Sequence, residues 1–141
     1  MKNLILIFLL FFSFLCVAQS VEGVWETYDD DSGELKSEVK LYIKGGKLYG
    51  KILELHNTEH GLENPKCIKC PGDKKNKRVI DMIILTGLTK DGEEWSGDEA
   101  ILDPNNGEVY DCTIWLENKN ELAVRGYSGW FYRTQYWKRV E

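Results

Sequence analysis

The 141-residue chain has two histidines, and both fall in one stretch, at His56 and His60. A serine or cysteine nucleophile assisted by histidine needs a base placed beside it by the fold. With both histidines in one loop, that chemistry is disfavoured, and no Gly-x-Ser-x-Gly elbow is present. Basic runs are missing too. Lys74, Lys75, Lys77 and Arg78 share one loop with Asp73, and the formal net charge is −5. An acidic surface repels nucleic-acid phosphates and anionic lipid head groups, so these four residues read as a solvated loop and nucleic acid is excluded as a partner. No stretch has the period of an amphipathic helix. The one long apolar run, residues 4–17, is shorter than the ~20 residues of a spanning helix. The acidic segments 29–33 and 103–107 lack the spaced ligands of a calcium loop. They are explained as turns, in which Asp and Asn cap their own backbone and Pro and Gly set φ.

What is present begins with a leader. Met1-Lys2-Asn3 is a short positive start, followed by Leu, Ile and Phe in near-continuous order and then by the small residues Ala18 and Ser20. This is the three-part pattern of a secretory signal. Cleavage is expected after Ala18, with Ser20 as the alternative, leaving one domain over 19–141. A lipoprotein signal would need a small residue before Cys16, and Leu15 stands there. The expected destination is the periplasm or the cell exterior, with no membrane span in the mature chain.

The remainder alternates. Val39, Leu41 and Ile43 fall on one face and Glu38, Lys40 and Lys44 on the other, which is the period of a half-buried strand. Strands are predicted at 24–28, 37–44, 47–55, 81–88, 94–102, 108–117, 121–127 and 134–140. A long loop spans 56–78, and Gly45-Gly46 marks a tight hairpin. Eight strands in one open sheet would leave a large apolar face and two unpaired edges. Short consecutive turns favour closure into an antiparallel up-and-down barrel. A two-sheet sandwich is the alternative.

Gly23-Val24-Trp25 opens the first strand, and Trp137-Lys138-Arg139 lies in the last. A glycine-any-tryptophan start resembles the lipocalin and calycin signature, which implies that Trp25 closes the barrel floor with Arg139 over its ring, a favourable cation–π contact. Without the resemblance, Trp25 is simply a core aromatic. Further blocks include Ser37-Glu-Val-Lys-Leu-Tyr-Ile43, Gly46-Lys-Leu-Tyr-Gly-Lys-Ile52, Ile101-Leu-Asp-Pro-Asn-Asn-Gly107 and Leu122-Ala-Val-Arg-Gly-Tyr127. In this order they resemble domain of unknown function 2147, an exported, calycin-like bacterial family. The resemblance implies no activity and no catalytic residues. Where many relatives have a glycine before the Ile-Leu strand, this chain has Asp81-Met82, so the start of that strand is open.

Cys67 and Cys70 lie in the long loop and Cys112 in a strand. In an oxidising compartment the first two are expected to form a disulfide that pins the loop. Cys112 is expected as a buried free thiol on the face of Tyr110, Ile114 and Leu116. Two sharper readings of the loop remain: a thiol-redox pair, which lacks the helix that usually follows, and a zinc site from His56, His60, Cys67 and Cys70. Five tryptophans and seven tyrosines are many for this size. They suit either an apolar ligand cavity or a barrel filled by its own side chains. Trp115, Tyr127, Trp130 and Tyr132 are the candidate ligand contacts. The leading functional reading is a non-enzymatic, cofactor-free binder of a small apolar or amphipathic molecule. A structural or envelope-interaction protein with a filled barrel is the second, and a redox or zinc protein the third. Expressed with its leader in a bacterial host, the chain is expected to yield a mature species beginning at Gln19. Intact-mass measurement checks this, and an unprocessed chain would contradict it.

Overall fold

The computed structural model describes residues 18–56 and 64–140. The expected leader, except its last residue, lies outside them. Eight antiparallel strands form a closed barrel in the order of the chain: β1 Gly23–Tyr28, β2 Leu35–Lys44, β3 Lys47–Leu55, β4 Ile83–Asp91, β5 Glu94–Leu102, β6 Val109–Asn118, β7 Glu121–Ser128 and β8 Phe131–Arg139. A short 3₁₀ turn, Gly72–Lys74, lies between β3 and β4. Among the described residues no helix is long and apolar enough to cross a membrane.

Several strand ends differ from the sequence expectation; β2 begins at Leu35 rather than 37, and β4 runs to Asp91 rather than 88. β4 begins at Ile83 rather than 81. Asp81 sits at φ 70°, the left-handed region that a short polar side chain tolerates and that glycine would occupy without cost. β8 begins at Phe131 rather than 134. Ser128 pairs with Phe131, so Gly129-Trp130 is a two-residue hairpin turn and the aromatics after it are already in the strand.

Alternation sorts the side chains. Trp25, Val39, Leu41, Leu48, Leu85, Leu88, Ile114 and Leu122 are wholly buried in one contiguous core. The tight hairpins β2–β3, β4–β5 and β6–β7 all turn at one end of the barrel, and the other end carries the three longer connections together with the two-residue β7–β8 turn. Most of the fully buried residues belong to the end with the tight turns.

Closure is the weakest part of the ladder. β2 and β3 share eight paired positions, whereas β1 and β8 share two, Trp25↔Arg139 and Glu26↔Lys138. Arg139 reinforces that seam. Its guanidinium lies 4.2 Å over the Trp25 ring. It donates from Nε to the Lys119 carbonyl at 2.7 Å, from Nη1 to Glu22 at 2.8 Å and from Nη2 to Ser20 at 2.7 Å. Trp25 Nε1 donates to the Val21 carbonyl at 2.9 Å. A Cβ at residue 23 would stand 2.7 Å from Arg139 Nη1, so Gly23 leaves room for the guanidinium. The glycine and tryptophan at the start of β1 therefore meet the same guanidinium.

Replacing Arg139 with Met removes the ring contact and three carbonyl partners. The loss is expected to be about 2 kcal/mol, discounted for partial exposure. Equilibrium urea unfolding measures it. Arg139→Lys is expected to recover less than half, because an ammonium cannot fork to three fixed carbonyls. A full rescue by lysine would contradict the clamp.

Candidate ligand cavity

The end with the longer connections is hollow. A cavity of about 400 Å³ opens there, within the range of small-molecule sites. Its apolar surface comes from inward positions: Ile52 on β3, Ile84 on β4, Leu102 on β5, Val124 on β7 and Trp137 on β8, with Val79 from the long loop. Two buried hydroxyls, Thr27 and Ser37, also line it and share one hydrogen bond at 2.6 Å. One hydroxyl proton and several lone pairs are left over. Lys36, Asp103, Asn105, Asn106 and Arg133 add polar groups.

Connections from separate parts of the chain hold the mouth. The β1–β2 turn is capped by Asp29, whose carboxylate accepts from the backbone N–H of Asp31 and Ser32 at 3.0 and 2.8 Å. Those bonds, that of Ser32 first, hold its carboxyl below the ordinary range. The next residue, Asp30, forms an ion pair with Arg133 and accepts from Gln135 Nε2 at 2.8 Å. Gln135 Oε1 in turn accepts from Trp137 Nε1 at 3.3 Å. Asp30 thus ties the turn after β1 to β8, where the β1–β8 ladder has run out.

The long loop is pinned as expected. Cys67 and Cys70 are joined with an S–S distance of 2.02 Å and a Cα–Cα distance of 5.4 Å. Both cysteines are almost wholly buried, so an attacking thiolate has no path to the bond in this conformation. Cys67 Sγ lies 3.3 Å from the Pro104 carbonyl. A disulfide sulfur carries no proton, so this is close packing rather than a hydrogen bond. Gly107 meets the same loop. It has φ +74°, and a Cβ there would lie 1.9 Å from the Lys69 carbonyl oxygen. The disulfide loop is therefore seated directly on the β5–β6 connection that forms one side of the mouth.

The four candidate ligand contacts are placed differently from one another. Tyr127 and Tyr132 reach the cavity lining, and their ring centroids lie 6.1 Å apart. Trp115 and Trp130 do not line it. Trp115 shares the outer face with its cross-strand neighbour Ala123, and its Nε1 donates to Glu117 at 2.8 Å. Arg125 lies between Trp115 and Tyr132, at 4.9 and 4.5 Å from their rings, and its Nε donates to Thr134 at 2.7 Å. Trp130 is 99% exposed at the tip of the β7–β8 hairpin. Sequence reading missed Thr27, Ser37, Val124, Gly126 and Arg133. Strand parity places them inward, but parity does not say which end of the barrel is hollow.

The zinc set is not assembled. The two sulfurs are bonded to each other, and His60 lies outside the described residues. His56 stands at the end of β3 beside Glu38 and Glu54. Cys112 is buried and free. Desolvation pushes its thiol from the usual 9.0 to about 12, which fits an inert core residue.

Gly107→Ala is expected to unseat the disulfide loop, because it adds left-handed strain and a clash with backbone that cannot swing away. Faster amide hydrogen exchange at Cys67, Asn76 and Val79 is the readout, with destabilisation of about 2 kcal/mol. Unchanged exchange there would show that the loop does not depend on this contact.

Comparison with known proteins agrees with the geometry. No curated protein sequence matches the chain. Among solved structures, protein HP1028 from the human pathogen Helicobacter pylori, described as belonging to the lipocalin family, matches with a TM-score of 0.71 and 20% identity. The match covers 86% of this chain and 84% of that one, and at this identity it shows a shared lipocalin-like fold. The family model for an uncharacterized protein conserved in bacteria, DUF2147, matches residues 23–139, and the chain belongs to that family.

Proposed function

We propose that this protein is exported and binds a small amphipathic molecule in the open half of its barrel, without catalysing a reaction. The observation that carries this reading is the cavity of about 400 Å³, with an apolar interior and polar groups among its lining residues. An apolar portion of a ligand would displace water from Ile52, Ile84, Val124 and Trp137, which favours binding at roughly 25 cal/mol per Å² buried before the costs of association. A polar portion would find the Thr27–Ser37 hydroxyls inside, or Lys36 and Arg133 nearer the mouth. Export is supported by the leader pattern and by the disulfide, which persists in oxidising compartments. The HP1028 match contributes the barrel alone, since ligand chemistry varies widely within one fold.

The filled half of the barrel does not compete with this reading. It holds the wholly buried core and the Arg139 clamp, and so supplies the stability that lets the other half stay open.

Gly126 offers a clean test. It lines the cavity, and a Cβ there meets nothing closer than Tyr110 Cβ at 3.9 Å. Gly126→Phe is expected to fill the cavity from one wall while the barrel still folds. In a titration with the fluorophore 1-anilinonaphthalene-8-sulfonate, the parent protein is expected to bind and the variant to lose at least about tenfold in affinity. Thermal unfolding serves as the folding control. Equal binding by a folded Gly126→Phe protein would place the probe elsewhere and remove the support.

A further inference from the structure

A second chemical cluster lies on the outer wall and is independent of the cavity. We propose that Glu38, Glu54 and His56 form a binding site for one divalent transition-metal ion of the zinc type.

The residues are brought together by the β2–β3 ladder. Glu38 and Glu54 are direct cross-strand partners, so their side chains leave the same face of the sheet side by side. His56 follows Glu54 by two residues and returns to that face. Its backbone is fixed where its N–H donates to the Lys36 carbonyl at 2.8 Å. One donor atom from each of the three residues lies within 4.8 Å of the others.

Two observations point to a cation-binding role for this cluster. The first is the like-charge pair itself. Directly opposed carboxylates destabilise a ladder, and the described ion pairs of lysine and arginine go elsewhere, Lys51 to Asp81 and Arg133 to Asp30. The adjoining Glu26, opposite Glu38 on β1, is already held by the Tyr28 hydroxyl at 2.6 Å. The second is His56 Nε2. This atom is shielded from solvent and has no hydrogen-bond partner, although it stands 3.9 Å from Glu38 Oε1. The His56 side chain as a whole is 30% exposed, but this nitrogen, without a hydrogen bond beside two carboxylates, is a costly arrangement. A metal ion between them satisfies all three groups at once.

The donor set selects the ion. One imidazole nitrogen with two carboxylate oxygens suits zinc and its first-row neighbours. It does not suit calcium or magnesium, which take oxygen alone, or copper(I), which prefers sulfur. Ligands at about 2.1 Å from a tetrahedral ion are about 3.4 Å apart. The His56–Glu38 separation is close to that, and rotation of the two glutamate side chains closes the rest. Three protein ligands leave a fourth position for water. This is a different set from one built on the loop cysteines, and it keeps only His56.

Isothermal calorimetry with Zn²⁺ on the purified protein tests the site. One equivalent is expected to bind. His56→Ala, Glu38→Gln and Glu54→Gln are each expected to weaken binding by at least about tenfold, the scale on which even supporting contacts matter to a metal site. Glu38→Gln and Glu54→Gln relieve the like-charge pair, so their metal-free melting temperatures are expected to match or exceed the parent's. Zn²⁺ is expected to raise the melting temperature of the parent protein alone. Absence of binding at millimolar Zn²⁺ overturns the proposal, as does binding that survives in the folded glutamine variants.

Discussion

Arg139 closes this barrel at its packed end. The first and last strands share two paired positions, and a seam so short would fray without help. One guanidinium covers the indole of Trp25 and holds the carbonyls of Ser20, Glu22 and Lys119. These belong to the segment before β1 and to the turn between β6 and β7, so one side chain fastens chain segments more than a hundred residues apart. The arrangement works because arginine offers donors in a rigid plane and because residue 23 has no Cβ in the way.

The clamp fixes how the two ends of the barrel differ. At the closed end, tight hairpins and large aliphatic side chains fill the interior. Toward the other end β1 and β8 are no longer paired, and Asp30 spans the gap to Arg133 and Gln135. The long loop, stapled by Cys67–Cys70, packs on the β5–β6 connection through Pro104 and Gly107. Part of the mouth is therefore held by side chains and a disulfide, while the walls of the cavity are paired strands, among them β3, β7 and β8. Segments held in the first way open more readily than the core ladder.

Several structural elements were legible because they follow from local rules. Alternation over β2 and β6 put Val39, Leu41 and Cys112 inside, and all three are buried. Trp115 was expected among the ligand contacts although it alternates with Cys112, and the structure has it on the outer wall beside Arg125. β8 starts three residues earlier than expected because Gly129-Trp130 alone suffices for the turn. Asp81-Met82 left the start of β4 open, and the structure puts Asp81 in the left-handed region just before that strand. The cavity residues Ser37, Val124 and Gly126 carried no such mark, since inward parity is the same at the packed end and the hollow one.

The strand pattern, its up-and-down order and a disulfide between cysteines three residues apart were readable along the chain. Each of these depends on period, turn chemistry or short spacing, which the linear chain displays. Where the interior is left unfilled, the burial of the loop cysteines against Pro104, and the placing of His56 beside two carboxylates rather than thiols emerge only in the folded barrel. Those outcomes depend on side-chain volumes summed across eight strands and on the cross-strand register, and both exist only once the barrel has closed.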